Sequence, residues 1–139
     1  MIFIDSNIPM YLVGAAHRHK IDAQRLLETA IAAGERLVTD AEVFHEILHR
    51  YCAIGRRDAI QPAFTALASV VDDVLPIRDR DVFDAKDIAL GSPVLSARDA
   101  IHVATMESAG IRLILSADNH FDAVSQVERI APDRFAGIA

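Results

Sequence analysis

Hydrophobic and polar residues follow two patterns along the chain, short apolar runs and longer stretches with helical spacing. The run Ile2-Phe3-Ile4 is apolar at every position, which is typical of a strand buried on both faces. In the stretch 20–33, apolar residues recur with the spacing of one helix face. Short apolar strands that alternate with longer helices predict a parallel sheet covered by helices on both sides. We therefore expect an α/β fold with three layers, α/β/α, around a short and mostly parallel central sheet.

The same patterns give the order of the elements. Strands are predicted at 2–4, 37–38, 74–77, 111–115 and 127–130. Helices are predicted at 20–33, 40–54, 62–71, 80–90 and 97–109, and a further helical stretch has Pro9 in its first turn. A glycine follows four of these helices, at Gly34, Gly55, Gly91 and Gly110, where glycine commonly ends a helix. No linker or repeat divides the sequence, so we predict one domain over residues 1–139.

Composition and charge narrow the possible functions. Of the 139 residues, 52% are hydrophobic, which is enough to form a core and excludes a disordered chain. The single cysteine, Cys52, excludes a disulfide framework. No apolar run is long enough to span a membrane and no secretory signal is evident, so we expect a cytoplasmic protein without a membrane partner. The net charge of -6 argues against binding nucleic acid through bulk positive charge.

Four acidic residues are expected at one edge of the sheet. Asp5 follows the first strand, Asp118 follows the strand at 111–115, and Asp99 lies in the first turn of the helix at 97–109. Glu46 lies midway along the helix at 40–54. Because the carboxyl ends of parallel strands share an edge, these carboxylates could converge. Clustered carboxylates need protons or a divalent cation, and oxygen ligands select ions such as Mg²⁺ or Mn²⁺.

Each of these acids also has a purely structural interpretation. Asp5 and Asp118 stand where N-cap residues stand, and Asp99 has the spacing of the acid that completes a capping box with Ser96 as the cap. Residues 39–42 form another apparent capping box, which gives Glu42 a structural role. Glu46 could be the exposed ion-pair partner of Arg50, one helical turn away. Spacing alone does not decide between capping and chemistry.

In combination, four motifs resemble the PIN domain family, and more specifically the VapC-type toxin ribonucleases of type II toxin–antitoxin systems. The first is Ile4-Asp5-Ser6-Asn7, a hydrophobic strand followed by Asp, Ser or Thr, and Asn. The others are the segment 39–47, which contains Glu46, the segment 98–104, which begins with Arg98-Asp99, and the segment 115–122, which contains Ser116-Ala117-Asp118. The motifs occur in the family's order and cover nearly the whole chain.

The resemblance implies a role for each matching residue. Asp5, Glu46, Asp99 and Asp118 would hold Mg²⁺ or Mn²⁺, with Asp5 and Asp99 as direct ligands and Asp118 acting on a second ion or through water. Hydrogen bonds that orient the carboxylates or the scissile phosphate would come from Ser6, Asn7 and Ser116. Ser116 stands where many relatives carry Thr, and the serine retains the hydroxyl group. Asp122 and Asn119 are neighbours without an assigned role.

The implied reaction is the hydrolysis of an RNA phosphodiester bond by metal-activated water. The protein would be an endoribonuclease, the toxin of a toxin–antitoxin pair, with a cognate antitoxin protein as partner. Apolar positions on the first two helices and on the helix at 40–54 could form a homodimer face, a groove for the antitoxin, or simply core. The net charge then fits a protein that meets RNA at a metal-filled cleft, where metal is needed for binding as well as for cleavage.

Three other functions fit parts of the sequence. One is a PIN-like scaffold that binds RNA without cutting it, against which the complete set of four acids argues. A second is a receiver-like domain that binds Mg²⁺ and accepts a phosphate, but Lys20 and Lys86 are poorly placed for the lysine it needs. The third is a zinc protease, because the helix at 40–54 contains the H-E-x-x-H pattern between His45 and His49.

Basic residues form local clusters despite the acidic total. These are the segment 17–20, which reads His-Arg-His-Lys, the pair Arg56-Arg57, and Arg98 beside the predicted site. They could contact the RNA backbone, where a few cations suffice, or they could be solvated helix ends. The sequence leaves both interpretations open.

Overall fold

A parallel sheet forms the centre of the computed structural model, which describes residues 1–14 and 18–133. Its strands are β1 (Ile2–Ile4), β2 (Leu37–Asp40), β3 (Asp73–Leu75), β4 (Leu113–Leu115) and β5 (Glu128–Ile130). They lie in the order β3-β2-β1-β4-β5, and every neighbouring pair is parallel. The central strand β1 pairs with β2 on one side and β4 on the other, so Phe3 lies between Val38 and Ile114. The predicted parallel sheet is therefore confirmed.

Helices cover both faces of this sheet. In the described part of the chain they are α1 (Asn7–Val13), α2 (Arg18–Ala32), α3 (Ala41–Ala53), α4 (Ile60–Val70), α5 (Asp79–Gly91) and α6 (Ala97–Ala109). Every residue of β1 and β2 is buried. Because successive side chains of a strand point to opposite faces, burial at every position requires cover on both sides. This confirms the three-layer α/β/α architecture.

The observed boundaries differ from the predicted ones in a few places. The helix predicted from residue 62 begins at Ile60, after a short 3₁₀ turn at Arg57–Ala59. The strand predicted at 111–115 begins only at Leu113, because Ile111 still bonds the end of α6 through Met106 O. Gly110 ends α6 with a φ of 71°, as predicted, whereas Gly91 remains the last residue of α5. No helix among residues 1–14 and 18–133 is long and apolar enough to cross a membrane.

The predicted capping box at 39–42 is wrong, because the helix begins one residue later than that box requires. The N-cap of α3 is Asp40, whose Oδ1 accepts a hydrogen bond of 2.9 Å from Val43 N. Thr39 is the third residue of β2, and its hydroxyl donates across the sheet to Ile4 O at 2.8 Å. Glu42 lies beside His45, at 3.0 Å from its Nδ1. Asp40 itself is completely buried, which matters for the site below.

The topology brings several chain segments to the carboxyl edge of the sheet. β1 ends just before Asp5, β4 ends just before Ser116, and β2 leads directly into the N-terminus of α3. Helix α6 returns the chain to the start of β4, so its N-terminus lies at the same edge. Sites in parallel α/β sheets form at this edge, where the strand order changes direction beside the central strand. The structure therefore places the predicted site where parallel-sheet topology expects it.

Candidate metal centre and active site

Asp5 is the most deeply placed of the predicted metal ligands. Its side chain lies directly beyond β1 and only 3% of the residue is exposed. Oδ1 accepts a hydrogen bond from Ser6 N at 2.8 Å, and Oδ2 accepts bonds from Ser116 Oγ at 2.6 Å and Asn7 Nδ2 at 3.2 Å. The three residues predicted to orient the carboxylates therefore all contact Asp5.

Ser116 and Asn7 also join the ends of the two central strands. Asn7 Nδ2 donates to Ser116 Oγ at 3.2 Å, and Asn7 Oδ1 accepts from Ala117 N at 3.2 Å. Ser116 Oγ further accepts a bond of 3.0 Å from Asp118 N. This network connects the loop after β1 to the loop after β4, so it links the carboxylate of Asp5 to the backbone of Asp118.

Asp99 and Asp118 lie together, and each also takes part in capping a helix or turn. The capping box between Ser96 and Asp99 is present, with Asp99 N donating to Ser96 Oγ at 3.1 Å and Ser96 N donating to Asp99 Oδ2 at 3.3 Å. Asp118 caps a short 3₁₀ turn by accepting from His120 N at 2.9 Å. Burial, together with the nearby charge of Asp118, raises the pKa of Asp99. Each cap uses some of the oxygen lone pairs, so capping and metal binding are compatible.

His102, on α6, is a central residue of the site that sequence analysis did not identify. Its ring is completely buried, with Nδ1 at 2.8 Å from Asp40 Oδ2. Its Nε2 lies 3.3 Å from Glu46 Oε1 and 4.0 Å from Asp5 Oδ1. Glu46 thus contacts His102 across the site, whereas its purely structural interpretation had been an ion pair with Arg50. The available signal was the position of His102 three residues after Asp99, which places both on one face of α6.

The charges in this cluster shift each other's pKa values. Burial raises the pKa of Asp5 from 3.8 to about 6, although His102 opposes the shift. Burial acts in the same direction on Glu46, but the hydrogen bond and charge of His102 outweigh it and lower its pKa. The pKa of His102 is raised well above 6.5, because Asp40, Glu46 and Asp5 together outweigh the effect of burial. A nearby cation stabilises the charged form of a buried carboxylate whose pKa is raised.

The predicted set of four acids falls into two adjacent groups. Asp5, Glu46 and His102 form one, and Asp99, Asp118 and His120 form the other. Within each group, one potential ligand atom per residue lies within 4.8 Å of the others. Carboxylate oxygens are the donors that hard divalent cations prefer, so the residues fit the metal that the sequence motifs imply.

The H-E-x-x-H pattern on α3 does not form a zinc protease site. His45 and His49 are both exposed, and His45 Nδ1 lies 3.0 Å from Glu42 Oε1. Neither histidine belongs to the two groups found among the described residues. Glu46, which would be the protease base, contacts His102 instead. The receiver-like alternative also lacks support, since Lys20 donates to Gly14 O at 3.2 Å rather than at the site.

Asp122 and part of the basic clusters form ion pairs with residues other than the four predicted acids. Asp122 receives a two-pronged contact from Arg129, at 3.0 Å in both bonds, so it is committed to another partner. Arg56 pairs with Asp58 in the same way. The cluster at 17–20 includes side chains outside the described residues.

A surface cavity of about 300 Å³ opens beside the first group. Glu46 forms one part of its wall, and Ser6 and Asn7 form another. Its remaining lining includes Tyr11, Arg50 and Arg98. The cavity lining therefore combines one acidic side chain, which belongs to the candidate metal ligands, with two basic ones.

Comparison with known proteins identifies the family of the chain. The family model of the PIN domain matches residues 2–127. The chain is 60% identical over 131 residues to ribonuclease VapC13 of Mycobacterium tuberculosis, which covers 94% of this chain and all of that protein.

Solved structures share the fold. VapC20 of Mycobacterium tuberculosis, described as a toxin that cleaves the sarcin–ricin loop, superposes with a TM-score of 0.69 at 22% identity, covering 90% of this chain and 95% of that one. VapBC2 of Rickettsia felis, solved with a DNA fragment from its promoter, superposes with a TM-score of 0.73 at 12% identity, covering 94% and 98%. With the family model matched over most of its length, the chain belongs to the PIN domain family.

Proposed function

We propose that the chain is a metal-dependent endoribonuclease that hydrolyses RNA phosphodiester bonds. The observation that carries this proposal is the gathering of Asp5, Glu46, Asp99 and Asp118 at the carboxyl edge of the sheet, in two groups that each offer metal ligands. The similarity to VapC13, which is named a ribonuclease, supports the same activity. We assign catalytic and metal-binding roles to these four acids, and orienting roles to Ser6, Asn7 and Ser116.

Hydrogen bonds hold the candidate metal ligands in place without a bound substrate. Ser6 N and Ser116 Oγ hold the two oxygens of Asp5, and the capping box holds Asp99 at the first turn of α6. Donors and acceptors that are fixed in advance need no reorganisation when charge develops on a reacting phosphate. A divalent ion, when bound, polarises a phosphoryl oxygen and lowers the pKa of water enough for attack at neutral pH. No side-chain nucleophile is then required.

The cavity beside Glu46 is our candidate for the substrate path. Arg50 and Arg98 line it, and arginine side chains commonly contact the phosphates of nucleic acids. Tyr11 offers an aromatic surface of the kind on which unpaired RNA bases stack. The phosphodiester would enter with its neighbouring phosphates against the arginines and the scissile bond against Glu46 and Asp5.

The remaining assignments concern the ion and the partners. We propose Mg²⁺ or Mn²⁺ as the ion, because carboxylates dominate the donor set. We further propose that residues 1–139 form one cytoplasmic nuclease domain that acts as a toxin and binds a cognate antitoxin protein. Exposed apolar side chains on α2 and α3, namely Ile21, Ile31 and Leu48, are available for the antitoxin or for a homodimer.

An RNA cleavage assay tests the nuclease. The full chain is incubated with a mixed RNA pool in the presence of Mg²⁺ or Mn²⁺, and in EDTA. We expect cleavage with metal, none in EDTA, and a loss of at least about a hundredfold in Asp5→Ala and Asp99→Ala. Asp87→Ala, which changes an exposed acid on α5, is the matched control and should cut normally. Cleavage by both site variants at the wild-type rate would show that the acids are not catalytic.

A further inference from the structure

The most unusual feature of the site is the way in which His102 joins its buried acids. The imidazole spans the space between Asp40, behind it, and the pair Asp5 and Glu46, in front of it. Nδ1 lies 2.8 Å from Asp40 Oδ2, while Nε2 faces Glu46 Oε1 at 3.3 Å and Asp5 Oδ1 at 4.0 Å. One ring nitrogen is therefore bound from behind and the other points at the candidate metal ligands.

Asp40 is itself fixed by several bonds, which fixes the ring. Its Oδ1 caps α3 through Val43 N, and its Oδ2 accepts from the hydroxyl of Thr105 at 2.9 Å as well as facing His102. Both Asp40 and His102 are completely buried. A helix cap alone does not need this burial or a histidine partner. The arrangement is the one in which a carboxylate orients a metal-binding histidine and raises its strength as a ligand.

The distances on the other side of the ring suit a coordinated ion. Mg²⁺ and first-row transition ions hold nitrogen and oxygen ligands at about 2.1 Å, so adjacent ligands are separated by about 3 Å and opposite ones by about 4 Å. The separations of 3.3 Å and 4.0 Å from Nε2 to the two carboxylates fall in this range. All three ligand atoms also lie within 4.8 Å of one another.

We propose that His102 Nε2 is a direct ligand of the ion held by Asp5 and Glu46, and that this mixed donor set favours Mn²⁺ or a later transition ion over Mg²⁺. Imidazole nitrogen binds first-row transition ions well, whereas Mg²⁺ prefers oxygen ligands and water. The proposal rests on the metal site of the proposed function but not on cleavage of RNA. On binding, His102 releases the proton of Nε2 to solvent and keeps Nδ1–H bonded to Asp40, so His102 becomes part of the metal centre and Asp40 is the residue that positions it.

Pulsed electron paramagnetic resonance tests this ligand directly. Mn²⁺ is added to full-length protein labelled with ¹⁵N at its histidines, and electron spin echo envelope modulation detects nitrogen bonded to the ion. We expect modulation from ¹⁵N in the labelled protein and from ¹⁴N in the unlabelled protein. This measurement needs no variant, so it does not depend on the folding of a mutant. The absence of histidine nitrogen modulation from bound Mn²⁺ would overturn the proposal and leave His102 as a hydrogen-bond partner of Asp40 and Glu46.

Variants then identify which histidine is bound. His102→Gln should remove the nitrogen modulation, while His120→Gln, in the second group, and His49→Gln, on the exposed face of α3, should retain it. Calorimetry on the same proteins should show a loss of about 10- to 100-fold in Mn²⁺ affinity for His102→Gln and a much smaller change for Mg²⁺. Loss of the modulation only in His120→Gln, or an equal loss of affinity for both ions, would contradict the assignment. RNA cleavage is measured separately, so an inactive protein that binds Mn²⁺ through His102 would refute the nuclease and keep this site.

Discussion

Replacing Asp5 with Asn should show how much the buried charge of Asp5 lowers the free energy of unfolding when no metal is bound. Asp5 is buried and its pKa is raised from 3.8 to about 6. The folded protein therefore keeps a proton on Asp5 at pH values where the unfolded chain has already released it. Stability falls as the pH rises from about 4 to about 6, and the loss persists at higher pH. Asn has the same shape and no charge, so it should remove this loss.

The magnitude follows from the two pKa values. Their difference corresponds to about 3 kcal/mol of unfolding free energy across the whole titration. Of this, about 2 kcal/mol should be lost between about pH 4.5 and about pH 7. Asn supplies one oxygen acceptor where Asp5 has two, so the variant will also lose part of the hydrogen bonding from Asn7 and Ser116. That second effect does not depend on pH and cancels when the two pH values are compared.

Urea unfolding in EDTA at both pH values measures this difference. We expect the free energy of unfolding of the wild type to fall by about 2 kcal/mol more than that of Asp5→Asn as the pH is raised. Asp87→Asn, which removes an exposed charge, should follow the wild-type curve. Equal pH dependence in the wild type and Asp5→Asn would refute the reasoning, because Asp5 would then titrate as an ordinary exposed acid.

Three further predictions concern neighbouring residues. Ser116→Ala removes the donor to Asp5 and should weaken Mn²⁺ binding by about tenfold in calorimetry, whereas Ser116→Thr keeps the hydroxyl and the affinity. Asp99→Asn should raise the melting temperature of the metal-free protein, because it removes a buried charge and its repulsion from Asp118. The amide oxygen can still accept the hydrogen bond from Ser96 N. A lower melting temperature would mean that the loss of the charged capping box outweighs the relief of repulsion. Asp40→Asn keeps an oxygen for the cap of α3 but removes the carboxylate beside His102. Urea unfolding should therefore show a free energy of unfolding that is lower by about 3 kcal/mol. A change below about 1 kcal/mol would contradict a buried ion pair.

The sequence predicted those parts of the fold that depend on local pattern. The apolar run Ile2-Phe3-Ile4 identified a strand buried on both faces, and it is the central strand of the sheet. The same reasoning predicted that the acids after the strands would share an edge, because all the strands are parallel. Element boundaries were less accurate where a turn continues a helix, as at Ile111, since no residue type marks the first strand bond there.

The parts of the site that depend on tertiary contact were not predicted. Asp40 was not predicted as the cap of α3 because Thr39 matched the capping-box pattern, and the second oxygen of Asp40 faces His102, which lies 62 positions later in the sequence. Thr39 looked like part of the cap and instead bonds across the sheet. For Glu46, spacing left a metal-binding role and an ion pair with Arg50 both open, and neither interpretation included its contact with His102 on another helix. Spacing along one helix gives no information about a residue on a second helix that packs against it.

The central claim is that the acids at the carboxyl edge form a metal site that cleaves RNA. The most direct test is a metal titration in which RNA cleavage and thermal stability are followed on the same samples of wild type and Asp5→Asn. We predict that wild-type cleavage rises from zero in EDTA and saturates at the metal concentration that also saturates the rise in melting temperature, while Asp5→Asn shows neither rise. Cleavage in EDTA at the full rate, or metal-dependent cleavage by Asp5→Asn equal to that of the wild type, would contradict it.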